Sequence, residues 1–378
     1  MIGPVRRGVR LVGFVSALMI GSLLALPVPA GAEPNTATGS PSPLRHAVVF
    51  TRFLPGADMG EVYRLDAGET LVQPIHAVFD AAVLSPDATR FLDFGPTPDG
   101  RASTGIFNID GSGYHVLPLP DPTLELPGGQ WTSGGNRIAS EGFSNAGVTD
   151  GIYSRRSSDG GGLLRLTDAG TRHDYPAKAS PDGSKLLFFR PNAPHETSDS
   201  AAQDLFVVPS RGGRTIRLTP QGITTGIVFS YDSVSWSPDS KRVAVTATQG
   251  GFWNDTLRSV YIASADGSRF APIGPRGDIW DAMWSPDGRW IAFTMATYGP
   301  RELFVMRPDG TGVRQLTSSA DGLDARQPTW SPDSSQLLFS RSTGDPHQSN
   351  LWSIDVDGSH LFQVTHLLAN YTALAWLP

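Results

Sequence analysis

The sequence predicts an all-β fold, a seven-bladed β-propeller of four-stranded antiparallel blades closed by pairing of N- and C-terminal strands. Three observations carry this. A tryptophan followed by Ser-Pro-Asp returns at a period near 47 residues. Each period holds four short extended runs bounded by Gly, Pro and Asp, with no sustained helical periodicity. The runs that follow the turn and the runs that end at the tryptophan balance only if the chain closes on itself. Six blades with ragged ends is the alternative count.

The repeat is read most directly from its turns. Ser-Pro-Asp begins at Ser85, Ser180, Ser237, Ser285 and Ser331, and Ser133 holds the same place in the degenerate copy WTSGGNRIAS. Proline presets φ at the second position of a type I turn, serine bonds back to the backbone, and glycine at the fourth position accepts the positive φ that follows. A second signal, Asp-Gly at 110, 159, 266, 309 and 357, marks a hairpin in the same period. The repeated aspartates are therefore turn formers. The tryptophans at 131, 236, 284, 330 and 376 recur once per unit, with Leu84 and Ala179 in the other two places. A ring repeated this way suits a seam between neighbouring sheets. Closure places Ala373–Trp376 as the inner strand of the blade that holds Ala47–Arg52, Glu61–Leu65 and Leu71–Ile75.

Ahead of the repeats stand Arg6, Arg7 and Arg10, an apolar run from Leu11 to Leu26, and Ala30-Gly31-Ala32. This is the pattern of a signal peptide over residues 1–32, cleaved after Ala32 and leaving no stable membrane span. A Pro-rich flexible leader follows at 33–44, and a single propeller domain fills 45–378. The chain is expected to be secreted or extracytoplasmic, in a bacterial cell envelope.

Composition excludes several chemistries. There is no cysteine, so disulfides and thiolate sites are ruled out. Without residues 1–32 the chain carries 27 Lys and Arg against 36 Asp and Glu, with no basic block. That balance argues against nucleic acid as a partner. No H-E-x-x-H, phosphate loop or G-x-S-x-G occurs; Gly142-Phe143-Ser144-Asn145-Ala146 lacks the last glycine.

The stretches WSPDGRWIAF at 284–293, DLFVVPSRGGRTIRLT at 204–219 and ELFVMRPDGTGVRQLT at 302–317 resemble the TolB-like β-propeller repeat. The resemblance runs from about residue 46 to 378. It implies a propeller alone, without the N-terminal domain of TolB or a hydrolase domain. Similar repeats occur in prolyl-oligopeptidase-type peptidases and in oligogalacturonate lyases. The lyases use a divalent ion near the same end of the propeller, which draws notice to His173 with Asp174, Asp278 and Asp324.

A site is expected where copies differ, on the face opposite the uniform turns. Glu125, His173, Asp278 and Asp324 lie six residues ahead of the tryptophan position, and Asp174, Trp280, Arg326 and Tyr371 follow one or two residues further in. Trp253 stands in the Gly-rich loop TQGGFWNDT at 248–256. Trp280 or Tyr371 would stack on a ligand and Arg326 would bind a carboxylate. The expected function is a non-catalytic, monomeric binding or scaffold propeller for a protein segment, peptide or glycan, with no metal or cofactor. The alternative is a carbohydrate-active lyase or hydrolase at the channel mouth, with or without a metal ion.

Overall fold

The computed structural model describes residues 44–54, 59–69, 73–78, 82–143, 150–170, 173–192, 203–221, 223–224, 234–249, 257–296, 299–318, 322–343, 348–367 and 369–378. The expected targeting segment, nearly all of the leader, and Trp253 lie outside the described residues. The chain is all-β. Its one described helix is a three-residue 3-10 turn, Ser133–Gly135, in the degenerate copy of the Ser-Pro-Asp turn.

The strands form five separate four-stranded sheets and one of eight strands. Closure takes the predicted form: Asn370–Trp376 pairs antiparallel with Val48–Phe53, setting Val49 opposite Ala375, and Gly60–Leu65 and Gln73–Val78 complete that sheet. The expectation of seven separate blades is corrected. One strand, Phe270–Trp284, pairs Arg258–Ser264 through its first half and Ile291–Ala296 through its second. Pro272, Gly274 and Gly277 fall within this run. The strand stays paired on both halves, passing through left-handed residues at Gly274 (φ 66) and Asp281 (φ 58) where the register shifts.

Apolar seams lie between successive repeats. Leu92 and Ile106 pack with Trp131 and Ile138, and Leu187 and Leu205 with Trp236 and Val245. Leu338 and Leu351 pack with Phe50 and Trp376, so the last repeat meets the first. A seam of the same kind, Ala244 and Ile262 against Trp284 and Phe293, runs between the two halves of the eight-stranded sheet. The five repeated tryptophans are between 4% and 7% exposed, which makes them core residues and removes them as ligand platforms. Four also donate the indole N–H across the seam. Trp131 bonds the Val83 carbonyl at 2.9 Å, Trp236 that of Lys178 at 3.1 Å, Trp330 that of Met283 at 3.0 Å and Trp376 that of Thr329 at 3.1 Å. Each acceptor is the residue just before the tryptophan position of the preceding repeat.

The Asp-Gly hairpins close differently from a two-residue turn. Gly111 N–H bonds Asn108 C=O at 2.8 Å and Gly111 alone of the pair has positive φ. This is a type I turn followed by a left-handed glycine. A Cβ on Gly111 would lie 2.0 Å from the Ile75 carbonyl oxygen, so the turn glycine also lets one sheet approach the previous one.

In the Ser-Pro-Asp turns the serine hydroxyl donates to the aspartate two residues on, at 2.5–2.7 Å, and in all five it accepts the amide five residues on at 2.9–3.0 Å. The fourth position is left-handed even without glycine, at Ala88 (φ 55), Ser240 (φ 58) and Ser334 (φ 60). The two serines use that geometry: their hydroxyls accept the amides of Asp182 and Asp287 in the preceding repeat, each at 3.1 Å.

These hydrogen bonds favour ionised aspartate. The hydroxyls of Ser85 and Thr89 hold Asp87 down to about 2. Asp182, which burial alone would raise, is brought to about 2 by Ser180 and Ser184. A folded pKa below the unfolded value means that the contribution is complete above about pH 4 and is lost as pH falls through about 2. We expect the urea midpoint to be level from pH 7 to 5 and to drop steeply between pH 4 and 2. Combining Asp87→Asn with Asp182→Asn should flatten that drop, and an unchanged profile would refute the assignment.

Candidate functional site: the charged rim opposite the turns

The described candidates lie at strand ends on the side away from the Ser-Pro-Asp turns, and most meet a counter-charge. Four, Asp278, Trp280, Asp324 and Arg326, sit in one connected group. Asp278 and Trp280 lie in the second half of the long strand, where the Trp280 indole N–H donates to Asp278 Oδ1 at 2.7 Å. Arg258, at the start of the neighbouring strand, donates to the same oxygen at 3.1 Å. The Arg258 guanidinium lies 3.6 Å from the Trp280 ring centroid, and Arg301 lies 4.6 Å from that centroid. Two cations held on the π system of a tryptophan are favourable, because the ring quadrupole is negative at its faces.

Arg301 connects this group to the next repeat. Its backbone N–H bonds Asp324 Oδ1 at 2.8 Å, and Arg326 bonds Asp324 Oδ2 at 2.8 Å. Burial would raise the Asp324 carboxyl, but the Arg301 amide and the Arg326 guanidinium outweigh it and hold it below the usual carboxylate range. Arg301 itself reaches Asp278 only at 3.9 Å. Among the described residues its guanidinium makes no hydrogen bond, and the buried Nε of Arg326 has no partner either. The group thus offers open cationic donors beside spent carboxylates.

A second group surrounds His173. Its Nδ1 lies 3.4 Å from Glu141 and its Nε2 3.9 Å from Asp150. The hydrogen bond to Glu141 raises its pKa against the opposing effect of burial, with Asp150 and Asp174 adding to the rise. The rise favours the protonated imidazole among these carboxylates, which weakens His173 as a general base. Asp174 beside it is fully buried and gripped by Arg190 through both oxygens, at 2.6 and 2.7 Å. Arg190 also lies over the Phe188 and Phe206 rings, which fixes its guanidinium in place.

The structure separates the predicted set and corrects part of it. Asp278, Trp280, Asp324 and Arg326 come together; His173 and Asp174 belong to the second group. Glu125 accepts the Ala102 amide at 2.8 Å and bridges to Phe143, which is a structural task. Tyr371 is 2% exposed, packs edge-on against Phe50 and donates to the Leu367 carbonyl at 2.6 Å, so it is a core residue with no face for a ligand. Trp280 has its π system occupied by arginines, so the expectation that it stacks on a ligand is also corrected. Arg258, Arg301 and Glu141 are the residues sequence reasoning missed, while Arg190 was legible as the end of a second strand able to line this face. They begin or end second and third strands, whereas the channel-mouth pattern follows only the inner strand. The available signal was compositional: the chain has only three lysines among its 30 basic residues, and arginine is the cation that stacks and forks.

Blade-like sheets joined edge-to-seam, with a rim of paired charges at one end, define a β-propeller protein. Residues 195–378 match the TolB beta propeller domain family, which makes that stretch TolB-like. The chain is 27% identical over 250 residues to an uncharacterised protein of Agrobacterium fabrum, a match that covers 66% of this chain and 76% of that one. It is 31% identical over 127 residues to the Tol-Pal system protein TolB of Anaeromyxobacter dehalogenans, spanning 32% of this chain but only 28% of that relative. The fold also matches the oligogalacturonate lyase of Vibrio parahaemolyticus with a TM-score of 0.55 at 14% identity, covering 81% of this chain and 93% of the lyase.

Proposed function

We propose that this chain is a secreted, non-catalytic binding propeller of the cell envelope that holds a protein segment, peptide or glycan on the face opposite its turns. The observation that carries this reading is the Arg258–Trp280–Arg301 group, where Arg301 has hydrogen-bond donors to spare among the described residues. The reading also takes residues 45–378 as one propeller domain. Removal of residues 1–32 in the mature protein follows from the Arg-rich, apolar N-terminus, and a secreted chain beginning at Glu33 tests it.

A ligand carboxylate at Arg301 would make charge-assisted, two-pronged hydrogen bonds. Replacing such a donor removes about 1.5–3 kcal/mol, or roughly 10- to 100-fold in affinity. Immobilised protein screened against acidic peptides and uronate oligosaccharides should retain one class. Arg301→Ala should weaken retention by about tenfold or more at unchanged melting temperature. Equal retention by the variant, or turnover of peptide or polysaccharide by the wild type, would overturn the reading.

A further inference from the structure

Two copies of the repeat lack the tryptophan that fills every other seam: Leu84 and Ala179 stand in its place, on either side of Trp131. The consequence is a space. A cavity of about 190 Å³ opens where the second, third and fourth repeats meet, lined by Val83, Leu84, Gln130, Trp131, Lys178 and Ala179 among others. Leu84 and Ala179 are both partly exposed, so the space communicates with solvent. Its other walls are Ser-Pro-Asp turn residues, Pro86, Ser180 and Pro181, which puts it on the turn side of the sheets, away from the arginine rim.

The shape of this cavity follows from the repeat. In four seams the indole sits against the preceding inner strand and donates its N–H to the carbonyl just before that strand's tryptophan position. Applied at 179, the same register selects the carbonyl of Gln130, and Gln130 lines the cavity. The missing side chain thus leaves an apolar slot with the acceptor that an indole N–H takes elsewhere in this protein. Apolar cavities of about 150 Å³ bind benzene; one of 190 Å³ has room for a bicyclic ring.

We infer that this cavity is a binding site for an indole ring supplied from outside the chain, which completes the seam between the third and fourth repeats. The site is independent of the ligand face proposed above. The shared chemistry is the heterocycle, whether it comes as a free small molecule or as the tryptophan side chain of a partner segment.

The test is calorimetric titration of the full chain with indole and, separately, with N-acetyltryptophanamide. Indole should saturate the wild type with a negative heat-capacity change, as apolar burial requires. Binding of indole alone assigns a free heterocycle; binding of the capped amino acid as well assigns a tryptophan side chain. Ala179→Trp should supply the ring internally, keep or raise the melting temperature and weaken indole binding at least tenfold. Ala179→Leu, which takes up part of the space, serves if the larger variant does not fold. Arg301→Ala should leave indole binding unchanged, which separates this site from the charged rim. Failure of both ligands to bind the wild type, or undiminished binding to the filled variant, overturns the inference.

Discussion

Removing residues 370–378 should abolish cooperative folding. That segment supplies the inner strand of the closing sheet and the seam residues Tyr371, Trp376 and Leu377, all 7% exposed or less. Burial of each large apolar side chain is worth about 1.5–3 kcal/mol. The three together approach the net stability of an ordinary domain, about 5–15 kcal/mol. The loss has a second part, because Val48–Phe53 would become a free edge with unpaired amides and carbonyls. Phe50, 1% exposed in the intact protein, would lose Tyr371 from one side. The expected result is aggregation or a broad, non-cooperative melt in the truncated chain. A synthetic peptide of residues 369–378, added during refolding, should restore a sharp transition by pairing in trans. A truncated chain that melts at the wild-type temperature would show that closure contributes nothing.

Asp174→Ala should be the most damaging of the single substitutions at the predicted site residues. It leaves the Arg190 guanidinium, 19% exposed, with no carboxylate in reach of its two forked donors. Breaking a buried pair by removing one partner costs about 3–5 kcal/mol, and the lower end applies here because Arg190 keeps some water. Pairing Asp174→Ala with Arg190→Leu should recover most of that loss, since the uncompensated charge goes with it. Denaturant midpoints of the two single variants and the double variant decide the point. If Asp174→Ala is instead stable but no longer retains ligand, Asp174 belongs to the binding surface.

Several features were legible from the residues alone because they repeat. The Ser-Pro-Asp turn, the seam tryptophan and the placing of Ala373–Trp376 beside Ala47–Arg52 all follow from a pattern copied along the chain, and local turn chemistry acts over four or five residues. The charged rim is different. Arg190 lies 16 residues from Asp174 in sequence, Arg258 lies 20 from Asp278, and Arg301 reaches Asp324 across 23. No periodicity announces which of the 30 lysines and arginines meets which acid.

The long strand Phe270–Trp284 makes the same point for the backbone. It turns left-handed at Gly274 (φ 66), yet neighbours on both halves keep it paired as one strand. The sequence by itself determined the all-β repeat, its turns, its tryptophan seams and its closing strand, because each depends on short-range chemistry or on a pattern repeated at fixed spacing. Only the tertiary structure decided that Tyr371 is core, that arginines occupy the π system of Trp280, and that Leu84 and Ala179 leave a space. Those outcomes depend on which side chains from separate repeats arrive at the same place, and packing between sheets selects them.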